Sequence, residues 1–254
     1  MNVLALETSV KTGSLAVWRD DRLTSEVALP SDEKTAASLF VEIERALRDA
    51  TLQANDIDLV AVSTGPGSFT GLRIGVTFAK TFAYATDAKI AAVPTSLSLA
   101  YAALCGDPSA TDRRSVDVTI DAQRQQIFAQ SFELNEADWP VATSAIRIVS
   151  RMEWWQSAHA SDCITGPGLD VLEKFAASPS MPVPAPELAA IQSRCLPPTH
   201  RQPRATHVGL VGMHLADRDQ ITSPWELKPE YGRQSAAEEK ANDRRSSGVT
   251  DGIR

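Results

Sequence analysis

Ser63-Thr64-Gly65-Pro66-Gly67-Ser68-Phe69-Thr70-Gly71-Leu72-Arg73-Ile74-Gly75 decides how this chain is read. The apolar run Ile57-Asp58-Leu59-Val60-Ala61-Val62 leads into it, and the small-residue, largely apolar stretch Val76 to Ala85 leads out. The order is strand, tight turn, helix start. Gly65 and Gly67 permit positive φ or a close backbone approach, and Pro66 stiffens the turn between them. Ser68 or Thr70 is placed to cap the helix. A helix start also offers unpaired N–H groups to an anion or to a partner's polar group. The plainer alternative is a connection whose glycines serve the turn alone.

The core of this run occurs twice. Thr165-Gly166-Pro167-Gly168 follows the strand-like Ser161-Asp162-Cys163-Ile164 and precedes the helix-like Leu169 to Ala177, as Thr64-Gly65-Pro66-Gly67 does upstream. A second echo precedes each turn. Asn2-Val3-Leu4-Ala5-Leu6-Glu7-Thr8-Ser9 is an apolar strand ending in an acid and hydroxyls, and Ser14-Leu15-Ala16-Val17-Trp18 returns beside it. Val116-Asp117-Val118-Thr119-Ile120-Asp121 again ends in an acid, and Gln126 to Phe132 returns with apolar/polar alternation. Each half thus reads as an acid-tipped hairpin followed by a strand and a Thr-Gly-Pro-Gly turn into a helix. The expected architecture is α/β with two lobes of related topology.

The remaining elements fit that plan. Leu23 to Leu29 reads as a third strand, and Thr35 to Thr51 as a helix with Leu39, Ile43, Ala46 and Leu47 on one stripe. Further strands are expected at Ile90 to Pro94 and Ile146 to Val149. Helices are expected at Ser96 to Leu104, Arg151 to Ala158 and Thr206 to Asp217, with a short one at Glu187 to Arg194 inside the proline-rich Ala176 to Arg204. Trp225 to Tyr231 is expected to be extended and to close the fold. The division is 1–105 for the first lobe, 106–234 for the second and 235–254 for a charged, disordered tail.

Composition narrows the function classes. The 254 residues suffice for two lobes with substantial cores, and the 43% hydrophobic fraction is ordinary for a globular protein. A net charge of −7 argues against autonomous nucleic-acid binding through bulk electrostatics. Met1-Asn2-Val3-Leu4 enters a strand directly, so no signal peptide is expected. No apolar stretch approaches the roughly 20 residues of a membrane span. Cys105, Cys163 and Cys195 are scattered and lack metal-ligand spacing; reduced thiols in a cytoplasmic protein are the simplest expectation.

Met1 to Trp18, Ser63 to Ala85 and the Ile120-Asp121-Ala122 hairpin together resemble the bacterial TsaB family of tRNA threonylcarbamoyladenosine biosynthesis proteins. That family lies within the glycoprotease-like (peptidase M22-like) set. Val93-Pro94-Thr95-Ser96-Leu97 is similar to the segment that follows in that family, and Pro229-Glu230-Tyr231-Gly232-Arg233 to its closing Pro-x-Tyr-Leu-Arg motif. The loop Asp32-Glu33-Lys34-Thr35 departs from relatives that carry a histidine there. The resemblance implies the actin/Hsp70/sugar-kinase (ASKHA) fold and a non-catalytic subunit. Its implied partners are a TsaD-like catalytic subunit and a TsaE-like ATPase. The implied reaction transfers threonylcarbamoyl to N6 of the adenosine 3′ of the anticodon in tRNAs reading ANN codons. It further implies a homodimer in isolation, tRNA reached through the complex, and no membrane.

The catalytic relative carries a metal-binding His-x-x-x-His on the helix after the Val93-type strand. Here that helix reads Ser96-Leu97-Ser98-Leu99-Ala100-Tyr101, and no histidine precedes His159. The resemblance therefore implies neither a metal site nor protease activity. His207 and His214 lie seven apart with no evident third ligand. No catalytic residue, metal or cofactor of its own is expected, with ATP or ADP reserved for the complex interface.

Two sets of residues remain as candidate sites. Glu7, Thr8, Ser9, Gly65, Gly67, Ser68 and Asp121 are the candidate nucleotide or phosphate contacts, or else turn-stabilising groups. Glu7 and Asp121 would also be the working pair of an autonomous ASKHA-fold ATPase or kinase, the competing function. The helix after the first Gly-Pro-Gly turn is apolar on more than one face, more than one sheet needs to cover. Leu72, Gly75, Val76, Ala79, Phe82 and Ala83, with Leu39 and Ile43 of the preceding helix, are the candidate partner interface, full burial in the first lobe being the alternative. On that reading Val76→Glu would abolish pairing in a folded protein.

Overall fold

The computed structural model describes residues 1–29, 35–106, 112–157, 159–177 and 184–232, with the backbone alone for 35–38. The loop at 31–34, part of the lobe boundary (107–111), part of the proline-rich stretch (178–183) and the tail expected at 235–254 lie outside the described residues.

The first sheet grows around two strands that are apolar except at their carboxyl-terminal ends. Every residue of β1 (Val3–Glu7) and β4 (Leu59–Gly65) is buried, as expected for strands covered on both faces. The sheet order is β3-β2-β1-β4-β5, with β2 (Ser14–Arg19), the exposed edge strand β3 (Arg22–Ala28) and β5 (Lys89–Pro94). β1 pairs antiparallel with β2 and parallel with β4, and β4 runs parallel to β5. Helices α1 (Thr35–Asp49) and α2 (Phe69–Thr86) cover one face through Leu39, Ile43, Val76, Ala79 and Ala83.

The second sheet repeats this grammar. β6 (Ser115–Gln123) pairs antiparallel with β7 (Gln126–Leu134) and parallel with β10 (Cys163–Thr165). Thus a hairpin beside a parallel strand that feeds a Thr-Gly-Pro-Gly turn and a helix, here α5 (Gly168–Ala176), occurs in both halves. β7 also carries β8 (Pro140–Ala142) and β9 (Arg147–Ser150), the latter leading into α4 (Arg151–Gln156). α3 (Thr95–Leu104) packs on β6 and helps to build the core of the second half. The short α6 (Ala185–Gln192) forms between prolines. The architecture is the two-lobed, duplicated α/β arrangement.

Three features depart from expectation. β8 was not foreseen. The stretch 225–231 forms no strand; it lies along α2 as an irregular strap. And α7 (Ala205–Asp217), assigned by sequence to the second lobe, packs on the first sheet. Its Ala205, Val208 and Val211 meet Val3, Ala5, Ala16, Leu59 and Ala91, a ladder of small residues that admits a helix. The reason is local: the strand faces pointing away from α1 and α2 carry Ala at three of these positions, leaving room that only a close-packed helix fills.

Candidate functional site

Six of the seven candidate phosphate contacts meet at one place, the carboxyl-terminal ends of β1 and β4. The tip Glu7-Thr8-Ser9 is buried there among the loop and the start of α2. Ser9 N donates to Glu7 Oε1 at 2.5 Å, and Thr8 N donates to Ser63 Oγ at 3.2 Å. Ser68 N donates to Ser9 O at 2.6 Å, while Ser68 Oγ accepts from Gly71 N at 3.2 Å and caps α2.

The glycines serve these approaches. A Cβ at Gly71 would strike Thr8 O, at Gly75 the Thr8 hydroxyl, and at Gly67 the carbonyl and Cβ of Ser9. Gly65, at φ +121°, faces Glu230 O, and Glu230 N donates to Thr64 O at 2.7 Å. The close backbone approach foreseen from the sequence exists, but its occupant is this chain. A phosphate seated at Ser68 N would have to displace Ser9 O. Of the two readings of the loop, the turn reading accounts for Gly65, Gly67 and Ser68.

Burial dominates the electrostatics of this junction. Glu7 is 0% exposed, its Oε2 has no hydrogen-bond partner among the described residues, and burial pushes its carboxyl up to about 7 against the partial relief from Ser9. Asp121 is elsewhere, on the β6–β7 hairpin. Its carboxylate accepts from Gln123 N at 2.9 Å and lies 3.9 Å from the Arg151 guanidinium. The hairpin turn that follows places Gln123, Arg124 and Gln125 at positive φ without a glycine. The paired-acid arrangement expected of Glu7 and Asp121 is not built: one is sealed, the other is engaged by its own turn.

The candidate interface needs correction. Leu39, Ile43, Leu72, Gly75, Val76, Ala79 and Ala83 are buried in the chain's own core, and Phe82 is half-buried against it. Helical periodicity finds the stripe that meets the sheet, and both helices spend that stripe on their own sheet. The apolar side chains left outward are different ones. Phe40 and Val41 of α1 are 62% and 63% exposed, and Tyr84 of α2 is 71% exposed. Phe40 packs edge-on against Phe78 at 5.3 Å, so its outward position is fixed rather than free.

Sequence reasoning missed how the strap binds α2. Lys80 Nζ donates to Leu227 O at 3.2 Å and Arg73 Nε donates to Tyr231 Oη at 2.9 Å, while ahead of the strap Thr222 N donates to Ile90 O of β5. Trp225, 80% exposed, stands edge-on to Tyr84. The spacing of Arg73, Lys80 and Tyr84 marks one helix face, a signal present in the sequence but unpaired until the strap is seen.

The second half holds a satisfied polar cluster. His159 Nδ1 lies 3.2 Å from Asp117 Oδ2, its Nε2 lies 2.9 Å from Trp154 O, and Ser131 Oγ donates to Asp117 Oδ1 at 2.6 Å. Arg201, buried, makes paired hydrogen bonds of 2.7 and 2.8 Å to Glu173. Among the described residues, no group of three or more His, Cys, Asp and Glu side chains is placed to hold a metal ion, and no helix is long and apolar enough to cross a membrane. His207 and His214 flank Tyr101 and Trp139 instead. The three cysteines are free thiols, and burial pushes Cys163 and Cys195 up to about 11.

Residues 31–186, more than half of the chain, match the family model described as TsaD: tRNA N6-adenosine threonylcarbamoyltransferase. The chain is 35% identical over 100 residues to the tRNA threonylcarbamoyladenosine biosynthesis protein TsaB of Bacillus subtilis, covering 39% of this chain and 44% of that protein. It is 27% identical over 136 residues to the TsaB of Escherichia coli, covering 54% and 57%. The matched stretches thus span about half the length of these relatives. In three dimensions the chain resembles the crystal structure of YeaZ from Pseudomonas aeruginosa, with a TM-score of 0.71 at 20% identity, covering 91% of this chain and 99% of that one. That likeness carries the fold, the two-lobed actin/sugar-kinase-like arrangement. By the family match, with the TsaB proteins among its relatives, the chain belongs to the TsaD (tRNA N6-adenosine threonylcarbamoyltransferase) family, as a TsaB-like member.

Proposed function

We propose that this protein is a non-catalytic subunit of the assembly that transfers threonylcarbamoyl to N6 of the adenosine 3′ of the anticodon in ANN-decoding tRNAs. It acts by docking a TsaD-like catalytic subunit, with a TsaE-like ATPase joining them and a homodimer formed in isolation. ATP or ADP belongs to the assembled interface rather than to this chain. The observation that carries this reading is the pairing of a closed junction with an open helical face. The Gly-Pro-Gly loop is filled by Thr8 and Ser9, while Phe40, Val41 and Tyr84 stand outward on α1 and α2. Fixed aromatic side chains on a helix layer are the anchors that protein interfaces use.

Light scattering after size-exclusion chromatography tests this, with the chain alone and mixed with the TsaD-like subunit of the same cell. The expected result is a homodimer that exchanges into a heterodimer. Phe40→Glu should weaken both by about 30-fold or more, the loss expected at an interface anchor, without unfolding the chain. A monomer indifferent to that subunit overturns the docking role. In a reconstituted transfer reaction, Glu7→Gln and Asp121→Asn should each retain activity; abolition by both would favour an autonomous enzyme.

A further inference from the structure

The hairpin tip Glu7-Thr8-Ser9 is wedged between the two sides of the first sheet. Alternation along β1 turns Glu7 to the side of α7, with Val3 and Ala5, and Thr8 to the side of α2. α2 rests on Thr8: with no side chain at Gly71 and Gly75, the helix closes on Thr8 O and on the Thr8 hydroxyl. Ser9 O adds the bond from Ser68 N, and Thr8 N donates to Ser63 Oγ. The first two turns of α2 thus take their position from the tip.

Glu7 holds that tip in one conformation. Its Oε1 accepts from Ser9 N at 2.5 Å, its Oε2 has no partner among the described residues, and the side chain is sealed from water. The charged groups on the surrounding elements are engaged elsewhere or stand in water. Lys11 of the hairpin turn and Glu230 of the strap are exposed, and Arg73 of α2 is bonded to Tyr231. Ahead of α7, Arg201 is bonded to Glu173 and Arg204 to Glu26. His207, on the first turn of α7, stands against Tyr101, and burial pushes it down to about 4, so it is uncharged near neutrality. Ser9 and Ser63 are the groups that act on the Glu7 carboxyl. A carboxyl so placed is stable with its proton and costly without it, because an ionised oxygen there meets neither water nor a cation.

We propose that the proton on Glu7 controls partner docking through the seat of α2. With the carboxyl neutral, the tip fills the space under Gly71 and Gly75 and the helix stands firmly on it. When the proton leaves to solvent, the carboxylate draws water into the tip, Thr8 and Ser9 shift, and the amino-terminal turns of α2 lose their support. Tyr84 lies roughly 20 Å beyond Gly71 along the helix axis, and Phe40 packs on Phe78 of the same helix, so a small tilt at the seat displaces the outward face. The seat is a two-state element that the proton and the partner both bias. Glu7 is a positioning residue here, acting on the interface through Thr8 and Ser9. The inference rests on the docking role proposed above. It makes docking weaker on the alkaline side of neutrality, with a proton taken up on binding there.

Isothermal titration calorimetry of the full chain with the TsaD-like subunit of the same cell, between about pH 6 and pH 8.5, tests this. The wild type should bind about 10-fold more weakly at the alkaline end, within the usual span of coupled sites. It should also take up a proton there, read from the dependence of the heat on the ionisation enthalpy of the buffer. Glu7→Gln keeps the neutral shape and should lose that part of the pH dependence, so the ratio of the two profiles cancels whatever the partner itself titrates. Ser63→Ala removes a hydroxyl that favours the ionised form, and should move the midpoint of the profile to higher pH; it serves as the second variant should Glu7→Gln fail to fold. Parallel profiles for wild type and Glu7→Gln, or a midpoint unmoved by Ser63→Ala, overturn the proton control and leave docking standing. No binding by any of them at any pH overturns the docking role, and the control with it.

Discussion

The same tetrapeptide, Thr-Gly-Pro-Gly, turns the chain at 64–67 and again at 165–168, and the two turns meet different neighbours. At the second, Gly166 has φ +106° and faces Thr119 O, while a Cβ at Gly168 would lie 2.9 Å from Ile120 N. The neighbours of its two glycines belong to the adjoining strand β6, Thr165 Oγ1 donates to His200 O at 2.8 Å, and α5 starts at once and runs for 9 residues. At the first, three separate segments converge. Thr8 and Ser9 fill the loop, Glu230 of the strap closes over Gly65, and α2 runs on for 18 residues. One turn is a local corner. The other joins the hairpin tip, the longest helix and the final strap. The duplication preserved a backbone solution, and the first half used it to anchor the helix that carries the exposed face.

The comparison breaks most visibly through the core. Val76→Glu places a carboxylate where Val76 is buried between α2 and the first sheet, and it should cost more than about 4 kcal/mol. Urea unfolding will show this as loss of the native baseline, and pairing will vanish because the fold does. Gly71→Ala drives a methyl into Thr8 O, and Gly166→Ala one into Thr119 O at a positive φ. Each should cost about 3 kcal/mol, set by a backbone carbonyl that cannot step aside. The sharper readout is partner docking: Gly71→Ala should impair it under conditions where the variant remains folded, and Gly166→Ala should spare it. Equal losses would mean that the first junction is as local as the second.

Glu7 supplies the next largest effect. Its folded value of about 7 lies above the ordinary 4.5. The folded chain therefore keeps a proton that the unfolded chain has released, and stability is lost as pH rises from about 4.5 through 7, then levels off. Roughly 2.5 units at 1.36 kcal/mol each amount to about 3 kcal/mol. Measured by urea unfolding, the wild type should show this decline and Glu7→Gln should not. Parallel pH profiles would show that Glu7 does not carry it.

These effects mark where the sequence was legible. The two hairpins, both turns and the helices at 35, 69, 168 and 205 follow from period-2 and period-3.6 patterning and from glycine placement. The interface set failed for a physical reason. Periodicity reports which side chains are alike, and the apolar stripe of α2 is apolar because the sheet covers it. Phe40 and Val41 stand off that stripe, where pattern alone treats them as noise, while Tyr84 is an aromatic that the sequence offers as an anchor and the structure leaves outward. The strap escaped because it pairs side chains with backbone, Lys80 with Leu227 O, and such bonds have no sequence period. Asp117 on β6 and His159, in the segment after α4, are separated by 42 positions and meet only in the folded chain.

The second half has its own anchor in Arg201. Its guanidinium is buried, bonded to both carboxylate oxygens of Glu173 and within 3.3 Å of Asp170. Arg201→Ala should cost about 2 kcal/mol rather than the larger loss of a fully sealed pair, because both acids retain access to water once the arginine is gone. Urea unfolding should also detect this loss with Arg201→Lys, since a single ammonium cannot reproduce the paired geometry. A silent Lys variant would show that charge alone suffices.

The smallest effect separates the two acid tips that the sequence makes look equivalent. Asp121 stands at the edge of water, where its bond to Gln123 N closes a three-residue left-handed turn and its contact with Arg151 is long. Removing it loses one local hydrogen bond and a screened ion pair, so Asp121→Ala should cost about 1 kcal/mol. Glu7→Ala, by contrast, opens a cavity among buried strands and releases Ser9 N from its acceptor, while also relieving a carboxyl that burial disfavours. Its cost should fall as pH rises, because the wild type weakens toward alkaline pH and the variant does not. Comparing the two alanine variants by urea unfolding at acidic and alkaline pH therefore separates a structural turn from a buried ionisable tip. A pH-dependent loss at Asp121 would make the tips alike and would restore the paired-acid reading.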